Sequence, residues 1–344
     1  MKNEAAFLLE AQRLKILPCK MPEPKAGEVL IRMEYCGICG SDVGYYRNGR
    51  IGRREVTFPY ILGHECTGEV IGLGAGVKEF SPGDKVVLEP GLGCGHCEYC
   101  MSGRYNLCPD MVFLATPPYH GAFRRYMSYP ARGCFKLPPE VSSLEGAMIE
   151  PLAVGLHAAR QAETDHGKTV LITGMGCIGL MTLLACRSMN AQTIIVSDVF
   201  DNRLEKALSL GADHAINVAC ESLQDRLMEL TGGRGADIVF ETAGRPETAA
   251  QAVYLVARGG IIMQVGTISD PVPYQFNELA HNEAQIRSSF RYCNIFPLAL
   301  RLIRRGAIDL NAVGPDVFPF DQAASAFVAA ASHGDEHIKC ILKF

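Results

Sequence analysis

Three glycines spaced Gly174-x-Gly176-x-x-Gly179 stand directly after the apolar run TVLIT and open the helical run CIGLMTLLACRSM. A strand that turns tightly into a helix needs glycines in this pattern: the turn uses backbone conformations that side chains resist, and the helix must then pack closely on the strand. The same texture continues downstream. TIIVSD, HAINV, DIVFETAG and GGIIMQVG are apolar runs separated by helical stretches such as NRLEKALSLG. Such alternation specifies βαβ units and a parallel sheet covered on both faces, an α/β architecture. The stretch from Val170 to Cys186 is nearly uncharged and 17 residues long, marginal for a bilayer, and its glycines mark it as buried strand and helix.

Residues 1 to about 150 read differently. They are rich in glycine, proline and short β-like runs such as EVLIRMEY and KVVLEP, with no long helical period. With 344 residues the chain is too long for one ordinary core, so this β-rich part and the α/β part are expected to be separate domains. Past Phe290, IFPLALRLIRRGAI reads as an amphipathic helix, followed by VFPF and the helical DQAASAFVAAAS.

Composition excludes several function classes. A net charge of −4 gives no general reason to bind nucleic acid or an anionic membrane. The N-terminus MKNEAAFLLE lacks a signal-peptide pattern, so the fourteen cysteines point to a reducing cytoplasm rather than secretion. Arg47, Arg50, Arg53 and Arg54 fall in a glycine-containing stretch expected to be a loop; a solvated surface is the simplest reading and a phosphate-receiving patch the alternative.

In its strand-to-helix context the glycine triplet is a dinucleotide fingerprint: the first glycine turns, the second lets the backbone approach a pyrophosphate, the third permits close packing. Cys177 and Ile178 lie within the motif and open the helix whose terminal amides would receive that pyrophosphate. Asp198 ends the next strand, 19 residues beyond Gly179, where a carboxylate accepts from the adenosine ribose and repels a 2′-phosphate. NAD is therefore expected over NADP, with Arg203 the residue that argues the other way. Val265, Gly266 and Phe290 complete the expected cofactor set.

Cys94, Cys97, Cys100 and Cys108 form a second cluster, in GCGHCEYCMSGRYNLCP. Four thiolates so spaced suit a closed tetrahedral zinc cage. An iron–sulfur loop would place the fourth cysteine after three residues, whereas seven separate Cys100 from Cys108. Disulfides between such close neighbours are geometrically awkward.

Cys39 in YCGICGSD and the stretch GHECTGEVIGLGAGVKEFSPGDKV supply a thiolate, an imidazole and a carboxylate ahead of that lobe. Gly63-His64-Glu65-x2-Gly68-x5-Gly74-x2-Val77 resembles the zinc signature of the medium-chain alcohol dehydrogenases, and with the cysteine lobe and dinucleotide motif in this order the resemblance covers essentially the whole chain. GRYNLCP, FLATPPYHGAF, IEPLAVGLHA and FRYCNIFP are similar to the polyol dehydrogenase group, the sorbitol and xylitol dehydrogenases.

The resemblance implies a β-rich GroES-like catalytic domain, residues 1–151 and 290–344, with a structural-zinc lobe near 90–110, and a doubly wound parallel-sheet Rossmann domain, 152–289, with a cleft joining them. It implies that Cys39, His64 and Glu65 bind catalytic zinc, with Glu150 an alternative ligand or the holder of zinc-bound water. Ser41 matches the hydroxyl that carries the substrate proton away. Gly44 departs from the pattern, because many relatives have a histidine there that finishes the relay; water or a cofactor ribose hydroxyl is expected to complete the path, with no histidine step in the pH–rate profile. Tyr45, Phe113, Thr116, Glu150, Arg291 and Tyr292 are placed around the substrate, Arg291 offering several donors to vicinal hydroxyls. The strand near Gln285 to Phe290 is implied to pair across a homodimer, or within a homotetramer.

The implied reaction transfers hydride from a secondary hydroxyl of a polyol to NAD, giving a ketose. Such a hydroxyl is a very weak acid, which is why a Lewis-acid metal with an open position is needed, whereas the four-cysteine cage is closed. A simple alcohol, a diol, an amino alcohol such as threonine or a sugar-alcohol phosphate would use the same chemistry. A relative that had lost its activity would lack Cys39, His64 or Ser41; all three are present.

Overall fold

The computed structural model describes residues 2–332 and 337–344. The chain divides into two compact units: Met1–Glu150 with Phe296–Arg304 and Gly314–Phe344, and Pro151–Ile295 with Arg305–Val313.

The first unit is built on a seven-stranded sheet. In spatial order it runs Cys134–Lys136, Lys85–Leu88, Glu65–Leu73, Glu28–Gly37, Cys340–Lys343 and Asp316–Pro319, with Tyr126–Pro130 also pairing with Glu28–Gly37. Val29, Ile31 and Met33 are buried while their neighbours are more exposed, the period-two pattern of a strand with one face on a core. That core includes Leu8, Ile31, Leu62, Phe123 and Phe327, each burial contributing roughly 1.5–3 kcal/mol. The C-terminal strand Cys340–Lys343 lies inside the sheet, antiparallel to Glu28–Gly37 and parallel to Asp316–Pro319. Sequence-distant ends therefore close one sheet. The expected helix in DQAASAFVAAAS is Ala323–Ala331, which buries Ala323, Ala326 and Phe327 at helical spacing.

The arginine stretch is more ordered than the expected loop. Arg47 lies in the last turn of the helix Gly40–Asn48 and donates to the carbonyl of Ala331. Arg50–Ile51 pairs with Arg54–Glu55 across Gly52-Arg53, and Gly52 takes the positive φ of 56° that a two-residue hairpin turn demands.

The second unit is a six-stranded, wholly parallel sheet in the order His214–Asn217, Thr193–Asp198, Thr169–Thr173, Ala236–Glu241, Val256–Gln264, Gln285–Ser288. Val170, Leu171 and Ile172 are all fully buried, which is why this strand reads as a continuous apolar run. The chain leaves Thr169–Thr173 towards Thr193–Asp198, then crosses back to Ala236–Glu241 on its other side. This reversal is the topological switch point at whose carboxyl edge α/β sheets bind ligands. The uncharged stretch resolves into the strand Thr169–Thr173 and helix Cys177–Ser188, and no helix of the described residues is long and apolar enough to cross a membrane.

Candidate active site

In the first unit, Cys39, His64 and Glu65 bring one donor atom each to within 4.8 Å of one another. Local sequence explains the convergence. Cys39 caps the helix Gly40–Asn48, and its backbone N–H donates to Asp42 Oδ2 at 3.0 Å, a capping arrangement that fixes the thiol at the helix entrance. The other oxygen of Asp42 accepts from the Gly63 N–H at 3.0 Å and lies 3.7 Å from His64 Nδ1. Asp42 thus ties the Cys39 segment to the His64 segment. Sequence reasoning missed it, although Cys39-x-x-Asp42 is a readable capping pattern.

Glu65 begins the strand Glu65–Leu73 and lies over Gly37, where a Cβ would collide with its Oε2. Lys339 reaches it from the segment before the last strand, pairs with Glu65 Oε2 and donates to the carbonyl of Ile38 at 3.1 Å. This buried cation was also missed. No local pattern announces it.

The donor set fits a cation. His64 Nδ1 is buried and makes no hydrogen bond, the 3.7 Å approach of Asp42 being too long for one. Burial works to lower the imidazole pKa, but the charges of Asp42 and Cys39 overcome it and raise it well above the usual range. The pocket is built for positive charge. Thiolate, imidazole and carboxylate are a zinc set. Glu150 is buried in the first turn of the helix Ile149–Gln161. Ser41 is half-buried in the first turn of the helix Gly40–Asn48, and Gly44 lies one turn further along. Phe113 packs its ring 5.6 Å from that of His64, and Tyr45 lies 6.5 Å from Tyr60. Thr116 donates its N–H to the Phe113 carbonyl at 3.1 Å.

The cysteine lobe belongs to the same unit. Cys94, Cys97, Cys100 and Cys108 bring four sulfurs to within 4.8 Å, and all are free thiols. Cys94 and Cys100 sulfurs stand 4.0 Å apart, far beyond a disulfide and close to the about 3.8 Å that four sulfurs keep around zinc. The Cys94, Cys97 and Cys100 amides donate to Cys108, Cys94 and Cys97 sulfurs at 3.3, 3.4 and 3.5 Å. Amides of His96 and Cys97 hold the Cys94 thiol down at about 6. Against the Gly95 amide, desolvation and the neighbouring sulfurs push the Cys100 thiol up to about 12, so the four give up their protons together only around a shared cation, which this arrangement fits.

The second unit carries the nucleotide cradle. Gly174 has φ +87°, and a Cβ there would lie 2.8 Å from Ala243, while a Cβ on Gly179 would collide with the Gly174 carbonyl. Packing requires both glycines. Gly176 is different: a Cβ would meet nothing within 4 Å, so the chain has no packing reason to be bare there, and it caps the helix Cys177–Ser188. An open glycine at a helix N-terminus fits a phosphate. Asp198 is buried at the end of its strand, accepting from Met175 N–H at 2.6 Å and from Val199 and Phe200 N–H at 2.7 and 3.1 Å. Arg203 stands 3.8 Å from Asp198 and lies over the Phe200 ring. Val265 and Gly266 donate their N–H groups to the Glu241 carbonyl at 2.9 and 2.8 Å. Phe290 is 47% exposed, with Arg291 over its ring at 5.0 Å and at φ 54°; Tyr292 is buried.

Residues 25–139 match the alcohol dehydrogenase GroES-like domain and residues 177–305 the zinc-binding dehydrogenase domain. The chain belongs to the zinc-containing medium-chain alcohol dehydrogenase family. It is 43% identical to a zinc-type alcohol dehydrogenase-like protein of Escherichia coli, covering 100% of this chain and 99% of that one. With a sorbitol dehydrogenase of Bacillus subtilis it shares 40% identity over 98% of this chain and 96% of the other. The crystal structure of an Escherichia coli oxidoreductase of unknown specificity superposes with a TM-score of 0.96 at 43% identity, covering 100% of this chain and 99% of that one.

Proposed function

We propose that this enzyme oxidises a secondary hydroxyl of a polyol of the sorbitol, xylitol or L-iditol kind to the ketose, reducing NAD. The observation that carries the reading is the buried convergence of Cys39, His64 and Glu65 on a chain that also holds the glycine cradle and Asp198. When bound, zinc supplies Lewis acidity to the reacting hydroxyl and NAD accepts the hydride. Cys39, His64 and Glu65, with Glu150 as the alternative carboxylate, would hold the catalytic metal; Cys94, Cys97, Cys100 and Cys108 would hold the structural one. Ser41 takes the proton from the reacting hydroxyl. With Gly44 in place of a histidine, water or a cofactor ribose hydroxyl carries that proton onward. Phe113 and Tyr45 wall the site, and Thr116, Arg291 and Tyr292 orient the polyol. Asp198 selects NAD, because its carboxylate, already fixed by three amides, meets ribose hydroxyls without moving and repels a 2′-phosphate.

The catalytic domain is the first unit, Met1–Glu150 with Phe296–Arg304 and Gly314–Phe344, and the cofactor domain the second; against the bounds expected from the sequence, residues 290–295 and 305–313 pack with the parallel-sheet unit. The enzyme works in the cytoplasm as a homodimer or homotetramer, a reading supported by the strand Gln285–Ser288, which lies at the edge of its sheet with Ile286 exposed. A phosphorylated polyol is the second reading, favoured by the exposed Arg50, Arg53 and Arg54 of the hairpin. The test is NADH formation across polyols, simple alcohols, diols, threonine and sugar-alcohol phosphates, before and after chelation. Polyol turnover lost on chelation supports the proposal; failure of every secondary alcohol overturns it.

A further inference from the structure

A third group of donors lies apart from both clusters described above. Asp316 and Cys340 face each other as register partners in the parallel pair Asp316–Pro319 and Cys340–Lys343. Side chains of directly opposed residues share a face of the sheet. His337, three residues ahead of Cys340, turns back over that face, and its Nδ1 lies 3.0 Å from Asp316 Oδ2. One sulfur, one nitrogen and one oxygen come within 4.8 Å of one another. Cys340 is buried, while Asp316 and His337 are partly exposed, so the group is rooted in the sheet and reachable from solvent.

From this juxtaposition we propose that Asp316, His337 and Cys340 form a third metal site, taking a divalent transition ion of the zinc type with water completing its coordination. Two ligands about 2.05 Å from a tetrahedral ion stand about 3.3 Å apart, close to the separation of Asp316 and His337. A thiolate and an imidazole select zinc, cobalt or nickel over magnesium or calcium, which take oxygen donors. A bound ion clamps the final strand to Asp316–Pro319. The same segment carries Lys339, whose carbonyl accepts from the Asp316 N–H at 2.8 Å and whose side chain pairs with Glu65. Occupancy at this site is thereby mechanically continuous with the catalytic cluster, although it shares no ligand with it.

Zinc content per chain decides the question without reference to turnover. The holoenzyme and its His337→Ala and Asp316→Asn variants, both altered at partly exposed side chains, are dialysed to equilibrium against buffered zinc and analysed for metal. The proposal expects the wild type to hold one zinc more than either variant. Cobalt added after mild chelation should bind one equivalent more in the wild type than in Cys340→Ser, with a correspondingly stronger thiolate-to-cobalt absorption band. Equal zinc content in wild type and both variants, or a cobalt stoichiometry that Cys340→Ser leaves unchanged, overturns it.

Discussion

Lys339 and Glu65 form an ion pair with side chains only 2% and 1% exposed, bridging the segment before the last strand to the first residue of a strand 274 positions earlier. Two opposite charges so deeply buried depend on each other. Lys339→Met leaves Glu65 uncompensated unless a metal takes over the charge, so denaturant unfolding should show a loss of about 3–5 kcal/mol in chelated protein and a clearly smaller loss in zinc-loaded protein. Equal losses in the two states would mean that Glu65 does not share its charge with the metal.

The cysteine lobe offers substrate no position, so its metal acts on folding. Cys97→Ser should remove one zinc per chain and lower the thermal midpoint by several degrees, while kcat per correctly folded molecule stays within about twofold of wild type. Metal analysis, calorimetry and active-site titration on one preparation separate these effects. A fall in kcat without a fall in stability would contradict the structural assignment.

Asp198 has two tasks, fixing the cradle through the Met175, Val199 and Phe200 amides and meeting the ribose. Asp198→Ala damages the cradle for either cofactor but removes repulsion only towards NADP. The ratio of kcat/KM for NAD over NADP isolates the second task. It should fall about 10- to 100-fold, the range set by a charge-assisted contact of about 1.5–3 kcal/mol. An unchanged ratio would locate cofactor choice elsewhere.

Gly44 tests the proton path. A Cβ there would approach the Ile51 Cγ1 and Cδ1 atoms at 3.1 and 3.2 Å, the movable end of a flexible side chain, so Gly44→His is tolerable, and exchanging a helical glycine for histidine gains about 0.3 kcal/mol of helix propensity. The variant should show a titration near about 6.5 in its pH–rate profile that the parent lacks, with faster turnover at low pH. No new step would show that proton exit does not limit the reaction.

What was legible in the sequence was what is local in it. Gly174 to Gly179 and the four cysteines span a few residues each, and their spacing carries the geometry with it. The order of texture, β-rich then alternating, likewise announced the two kinds of sheet. Lys339 was illegible because one lysine near a chain end looks like any solvated lysine until the last strand inserts beside Glu28–Gly37. The grouping of Asp316 with Cys340 has the same origin, since parallel register across 24 residues has no sequence period. The arginine stretch differs in the other direction: its glycines suggested a loop, whereas Gly52 is the turn of a hairpin.

His157 makes the stability of the fold depend on pH. It is buried in the helix Ile149–Gln161, and the Arg160 guanidinium, which can only donate, lies 3.4 Å from its Nδ1. Burial, reinforced by the Arg160 charge, pushes the imidazole down to about 4. The unfolded chain, with an ordinary histidine near about 6.5, binds the proton more readily. Stability from this group is therefore full above about 6.5 and is lost as pH falls towards 4, with an upper bound of about 3 kcal/mol. His157→Gln keeps an acceptor for Arg160 but cannot titrate. Unfolding free energies of the two proteins measured from pH 7 to pH 4 share every other titration, so their difference should change steadily below about 6.5 in favour of the variant. A difference that stays flat across that range would mean that His157 charges in the folded protein as readily as in the unfolded one.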